Sequence, residues 1–81
     1  MKLFEIGPRL KELRKAKGFT QESMANIAGI SRVTLGKLER GEIGSISIKT
    51  LDFLLDTLGY EIDFKSKNME SFGLPSLDSL L

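Results

Sequence analysis

Residues 21–40, QESMANIAGISRVTLGKLER, decide how the rest of this chain is read. At helical period the stretch divides in two at Gly29-Ile30. The first half repeats Met24, Ala25 and Ala28, with Ile27 beside them. The second places Leu35 and Leu38 three apart, with Ile30 just ahead of it. Thr20 and Ser31 each stand one residue before a run that can be helical, where a hydroxyl accepts from an orphan backbone N–H. Gly29 takes a positive φ at little steric cost, as a corner between two short helices requires. Ala25 is small enough for a second helix to cross steeply over the first.

Two short helices joined at so tight a corner describe a helix-turn-helix, whose second helix enters the major groove of DNA. The longer stretch 18–41, GFTQESMANIAGISRVTLGKLERG, resembles the lambda-repressor-like family of Cro proteins, phage repressors and XRE-type regulators. The likeness rests on Thr20-Gln21, Ala25, Gly29-Ile30-Ser31, Leu35, Leu38-Glu39 and Gly41. It runs from about Ile6 to Gly59, roughly two thirds of the chain. It implies an all-α domain of four to five helices that binds double-stranded DNA.

Composition narrows the field from the other side. The chain has 81 residues, enough for one small domain only marginally able to bury a core alone. It has no cysteine, so disulfides, thiolate metal sites and thiol nucleophiles are absent. It has no histidine either, which removes the commonest general base and metal ligand. With only scattered carboxylates left, an enzyme is not expected, and no cofactor or metal is called for. The apolar runs are short and broken by charge, so a soluble cytoplasmic protein is expected, with no membrane partner.

The net charge of +1 hides an asymmetry. Residues 9–40 hold eight Lys or Arg against three Asp or Glu, and residues 41–81 hold three against seven. A basic front and an acidic back suit a molecule that meets a polyanion with one face only.

Residues 1–6, MKLFEI, lean apolar, and Leu3 and Phe4 can either pack on the domain or form a short strand. Gly7-Pro8 reads as a helix start. Ile6, Leu10 and Leu13 then repeat at i, i+4 and i+7 in a helix that ends by Lys17 with Gly18 as its cap. Arg9, Lys11, Lys15 and Lys17 lie off that stripe on a solvated face, from which one or two can reach phosphate. The resemblance pairs Arg14 with Glu39, where a guanidinium fork grips a carboxylate and ties the first helix to the third.

The third helix is expected from about Arg32 to Arg40, stopping at Gly41, with Leu35 and Leu38 inward. Arg32, Val33, Thr34, Gly36 and Lys37 are left to face out, two of them cationic and none acidic. Arg32 can donate two bonds to guanine O6 and N7, and Val33 and the Thr34 methyl can sit against a thymine methyl. Lys37, one turn on, reaches a base edge or a phosphate. The resemblance likewise puts base contacts on Arg32, Val33, Thr34 and Lys37. It puts a phosphate contact on Gln21, at the start of the second helix. Ser31 and Arg40 are further phosphate candidates, one at each end of the third helix. Gly36 departs from the longer residue common in the family and weakens the helix by ~1 kcal/mol relative to alanine. Either it permits a close approach to the DNA backbone, or it removes one contact. Val33, without a side-chain hydrogen bond to offer, shifts weight towards shape readout.

Beyond the loop 42–45, Ser47 caps a fourth helix, Ile48 to Leu58, with Ile48, Leu51, Leu55 and Leu58 as its stripe. Phe53 and Leu54 widen that face beyond the needs of one small core, which suggests a subunit interface. Residues 60–65, YEIDFK, alternate apolar and charged, as a half-buried strand does. A lone strand needs a ladder partner, and a second copy supplies one across a two-fold axis. The expected dimer interface is therefore Phe53, Leu54, Tyr60, Ile62 and Phe64. The alternative is pairing within the chain, against residues 3–6. A helix followed by LGYEIDF also resembles HipB-type antitoxins, whose dimers close with an inter-subunit sheet. Residues 1–65 form the expected domain, and residues 66–81 a flexible tail or a peptide that orders on a partner through Leu74, Leu77, Leu80 and Leu81.

The function expected is that of a homodimeric repressor on a palindromic operator. The alternative is an antitoxin that autorepresses its operon and holds a kinase-like toxin protein with its acidic back and tail. A protein–protein adaptor that reuses the shape without DNA is the remaining class.

Overall fold

The computed structural model describes residues 1–67 of the chain. Four α-helices follow one another: α1 (Leu3–Ala16), α2 (Gln21–Ala28), α3 (Arg32–Glu39) and α4 (Ile48–Thr57), with a 3₁₀ turn at Ile43–Ser45 between the last two. Local chemistry sets the ends. Thr20 accepts from the Ser23 backbone N–H, and the Ser23 hydroxyl accepts in return from the Thr20 N–H at 3.0 Å. Ser31 and Ser47 cap α3 and α4 through the backbone N–H groups of Thr34 and Thr50. Gly29 closes α2 at φ 70°, and the Ile30 N–H reaches back to the Ala25 carbonyl. That double-bonded reversal, available to glycine without strain, sets the corner between α2 and α3.

The core is small and drawn from every helix: Leu10, Met24, Ala25, Leu35, Leu38, Leu54 and Leu58. Ile6, Leu13, Phe19, Ala28, Ile30, Ile43, Ile46, Leu51 and Leu55 pack around it, half-buried. Ala25 lies at its centre with 1% exposure, as the tight crossing demands.

Four expectations are corrected. Helix α1 begins at Leu3, so Gly7-Pro8 lies inside it rather than at its start. Leu3 and Phe4 are helical and exposed, at 70% and 65%, and neither pack on the domain nor form a strand. Gly7 answers a different need: a Cβ there would lie 1.7 Å from the Leu38 carbonyl oxygen. Only glycine lets α1 lie directly on the end of α3. Pro8 stands inside the helix, where it forgoes the bond to the Phe4 carbonyl.

The second correction is one position of the α4 stripe, of which Leu51, Leu55 and Leu58 stand as expected. Ile48, at its first position, is 78% exposed, and the buried stripe is Leu51, Leu54, Leu55 and Leu58. Leu54, expected at a subunit interface, is 1% exposed and belongs to the chain's own core. Thirdly, residues 60–65 carry no strand. They run on from α4 without a ladder, with Tyr60, Ile62 and Phe64 exposed. The alternative partner is gone as well, because residues 3–6 are helical. The fourth, Gly36, concerns the site below. The stripe Leu74, Leu77, Leu80 and Leu81 lies outside the described residues.

Candidate nucleic-acid interface

Helix α3 is held by its apolar side. Leu35 and Leu38 are each 1% exposed, which turns Arg32, Val33 and Lys37 to solvent and leaves Thr34 half-buried. Ser31 caps the helix and Gly29-Ile30 fixes its direction, so the leading turn starts at the corner with its exposed side chains outward. The chemistry of that turn is cationic, methyl and hydroxyl. The single acidic residue of α3, Glu39, is buried on the other side, 4% exposed.

Glu39 organises the floor beneath this face. Arg14 Nε donates to Glu39 Oε2 at 2.6 Å and Nη2 to Oε1 at 3.1 Å, a two-pronged grip with both side chains almost fully enclosed. The third arm of the fork, Nη1, donates to the Phe19 carbonyl at 2.7 Å. Gln21 Nε2 adds a donor to Glu39 Oε1 at 3.0 Å. Helices α1, α2 and α3 and the turn before α2 are thus tied at one carboxylate. No buried side-chain nitrogen or oxygen among the described residues lacks a partner. A buried ion pair is stable only when its remaining hydrogen-bonding groups are met, and here they are.

The structure distributes the sequence-selected residues as follows. Arg32, Val33 and Lys37 share the outward face of α3, and Thr34 is half-buried. Gln21 opens α2 with its amide turned towards Glu39. Ser31 is exposed, but its hydroxyl donates to Thr34 Oγ1 at 2.9 Å, so a phosphate role requires exchanging that bond. Arg40 is exposed and lies beside Glu42, Nε to Oε2 at 3.6 Å. An open cleft between the starts of α2 and α3 is lined by Lys11, Arg14, Thr20, Gln21, Glu22 and Arg32. Lys11 lines this cleft, whereas Arg9, expected on the same solvated face, has its charge paired with Glu12 at 2.8 Å.

Gly36 departs from the outward placement expected of it. It does not face out with Arg32 and Lys37 but is buried. A Cβ there would lie 3.4 Å from Arg40 Nη1 and 3.9 Å from Gln21 Nε2. The cause is the backward lean of helical side chains, which brings a residue at i+4 over the turn before it. Among the described residues there is no cluster of acidic residues fit to hold a metal ion, and no helix long and apolar enough to cross a membrane.

Comparison with known proteins agrees with this geometry. A family model described as Helix-turn-helix matches residues 10–65. The SPbeta prophage-derived uncharacterized HTH-type transcriptional regulator YonR of Bacillus subtilis is 43% identical over 62 residues, 76% of this chain and 56% of its own length. The putative antitoxin HigA2 of Mycobacterium tuberculosis is 40% identical over 55 residues, 68% of this chain and 54% of its own. The chain spans about half the length of the curated relatives it matches. Among solved structures it is similar to the restriction-modification controller protein C.AhdI from Aeromonas hydrophila. That likeness has a TM-score of 0.65 and 39% identity, and covers 73% of this chain and 88% of the other.

Proposed function

This chain belongs to the XRE-type helix-turn-helix family, and from that premise we propose that it is a sequence-specific DNA-binding transcriptional regulator. It acts as a repressor, a homodimer on a palindromic operator, by inserting α3 into the major groove. The observation that carries this reading is the outward turn of α3. Arg32, Val33 and Lys37 are exposed there with no carboxylate among them, on a helix whose other side is locked by Leu35, Leu38 and Glu39. Arg32, Val33, Thr34 and Lys37 read base edges. Gln21, Ser31 and Arg40 meet phosphates and set the register. No step is catalytic; occupancy of the operator is the whole mechanism, and a cytoplasmic location follows from it.

Two copies meet through the part of the chain that one copy leaves uncovered. Phe53, Tyr60, Ile62 and Phe64 are 42–81% exposed, and residues 60–65 have no ladder partner among the described residues. Antiparallel pairing across a two-fold axis closes both edges and sets the half-sites about one helical turn, roughly 10 bp, apart.

Binding should weaken steeply with salt, by about 0.9 in log K per decade of salt for each phosphate neutralised. Arg32→Ala should relax sequence preference, while Gln21→Ala should weaken all duplexes alike. A titration that stays flat from low to moderate salt would overturn the reading. A second reading, an antitoxin that autorepresses its operon and holds a toxin, is favoured by the likeness to a putative HigA2 antitoxin. Copurification of a second protein that the chain neutralises separates it from the first.

A further inference from the structure

Gln21 and Arg40 come from different helices and stand 19 positions apart in the sequence, yet both converge on Gly36. Arg40 Nη1 lies 3.4 Å, and Gln21 Nε2 3.9 Å, from the point a Cβ of residue 36 would occupy. Two donors held that near a common point are close enough for the oxygens of one phosphate to span, since each N–H···O bond reaches about 2.9 Å. One N–H of the Gln21 amide is committed to Glu39 Oε1. The amide carries a second, which has no partner among the described residues. The commitment to Glu39 also fixes which end of the amide is the donor, because a carboxylate only accepts. Arg40 Nη1 takes part in no described hydrogen bond, and its neighbour Glu42 approaches Nε instead, in an exposed pair that is weak in water.

We propose that Gly36 is a positioning residue for DNA binding: its missing side chain leaves a notch in which Arg40 folds back beside Gln21, and the two together seat a single backbone phosphate. This rests on the DNA-binding reading above and adds a division of labour to it. Glu39 orients Gln21 from below, and Gly36 admits Arg40 from the side. A longer residue at position 36 would fill the notch and drive the guanidinium out to solvent. The Gly36 position is therefore coupled to affinity for any duplex, not to the choice of bases.

The test is the salt dependence of binding to a duplex of arbitrary sequence, measured for the full chain and four variants. Gly36→Ala adds only the Cβ, which sits at ordinary contact distance from Arg40, and should keep the wild-type slope. Gly36→Met, a good helix former with no donor, should lower the slope by about 0.9 and the affinity about tenfold. Arg40→Met should do the same. The double variant Gly36→Met/Arg40→Met should lose no more than either alone. An unchanged slope in Arg40→Met, or a double variant that loses the sum of both, overturns the inference. If Gly36→Met fails to fold, Arg40→Met alone decides by the same criterion. Failure of the wild-type chain to bind any duplex would sink the DNA reading itself. Steep binding indifferent to both positions would sink only the phosphate seat.

Discussion

The front of this molecule, α2 and α3 on their floor of Arg14 and Glu39, satisfies itself; the back, α4 and the residues after it, does not. Among the described residues every buried side-chain nitrogen and oxygen has its partner inside the chain, and the outward turn of α3 carries Arg32, Val33 and Lys37 with no carboxylate. At the back, Ile48, Phe53, Tyr60, Ile62 and Phe64 stand open to water, and residues 60–65 carry no ladder. A side that is finished within one copy can be rigid before it meets its ligand. A side that leaves apolar surface open is where the proposed second copy would bury it. The difference separates recognition, which needs a preformed shape, from assembly, which needs surface to bury.

The sharpest way to break that comparison is to unlock the front. Arg14→Ala leaves Glu39 buried without its counter-charge and should cost about 3–5 kcal/mol of folding stability, read from urea unfolding. Unchanged stability would show that the carboxylate finds water instead, and that the front is looser than described. Gly7→Ala strikes the same half from α1. Its Cβ would overlap the Leu38 carbonyl, at 1.7 Å, and backbone on both sides must move. A loss of about 3 kcal/mol is expected in the same assay.

The back should respond in a different currency. Ile62→Lys removes one apolar side chain from the proposed interface, about 2 kcal/mol of burial for each copy. The dimer should then dissociate at least about tenfold more readily in sedimentation, with helical circular dichroism unchanged. Loss of helicity instead would mean that residue 62 supports the fold of a single chain. The smallest effect expected is a gain. Gly36→Ala fits at contact distance and should raise stability by up to about 1 kcal/mol, because alanine restricts the unfolded backbone more than glycine does.

What could be read in the sequence was what neighbouring residues decide. Thr20, Ser31 and Ser47 as caps, Gly29 at the corner, and Leu35 and Leu38 turned inward all follow from spacings of a few residues. Arg14 and Glu39, 25 positions apart, came into view through family likeness, and the structure gives their distances. What escaped was decided by contacts between distant parts. The purpose of Gly7 is visible only beside the Leu38 carbonyl. Ile48 and Leu54 fit the stripe of Leu51, Leu55 and Leu58 equally well at helical period, and packing on the common core buries Leu54. Gly36 carries no signal beyond being a glycine inside a helix, and its cover by Arg40 is a property of the folded side chain. For residues 60–65, alternation of apolar and charged residues states a preference for extension and nothing about which chain supplies the ladder.

The central claim, that the leading turn of α3 reads DNA, is tested most directly by selection from a pool of random duplexes. The account predicts enrichment of a two-fold symmetric site with half-sites about one helical turn apart, and loss of preference at one symmetric pair of positions in Arg32→Ala. A bound pool whose sequences match the input, or a preference untouched by Arg32→Ala, would contradict it.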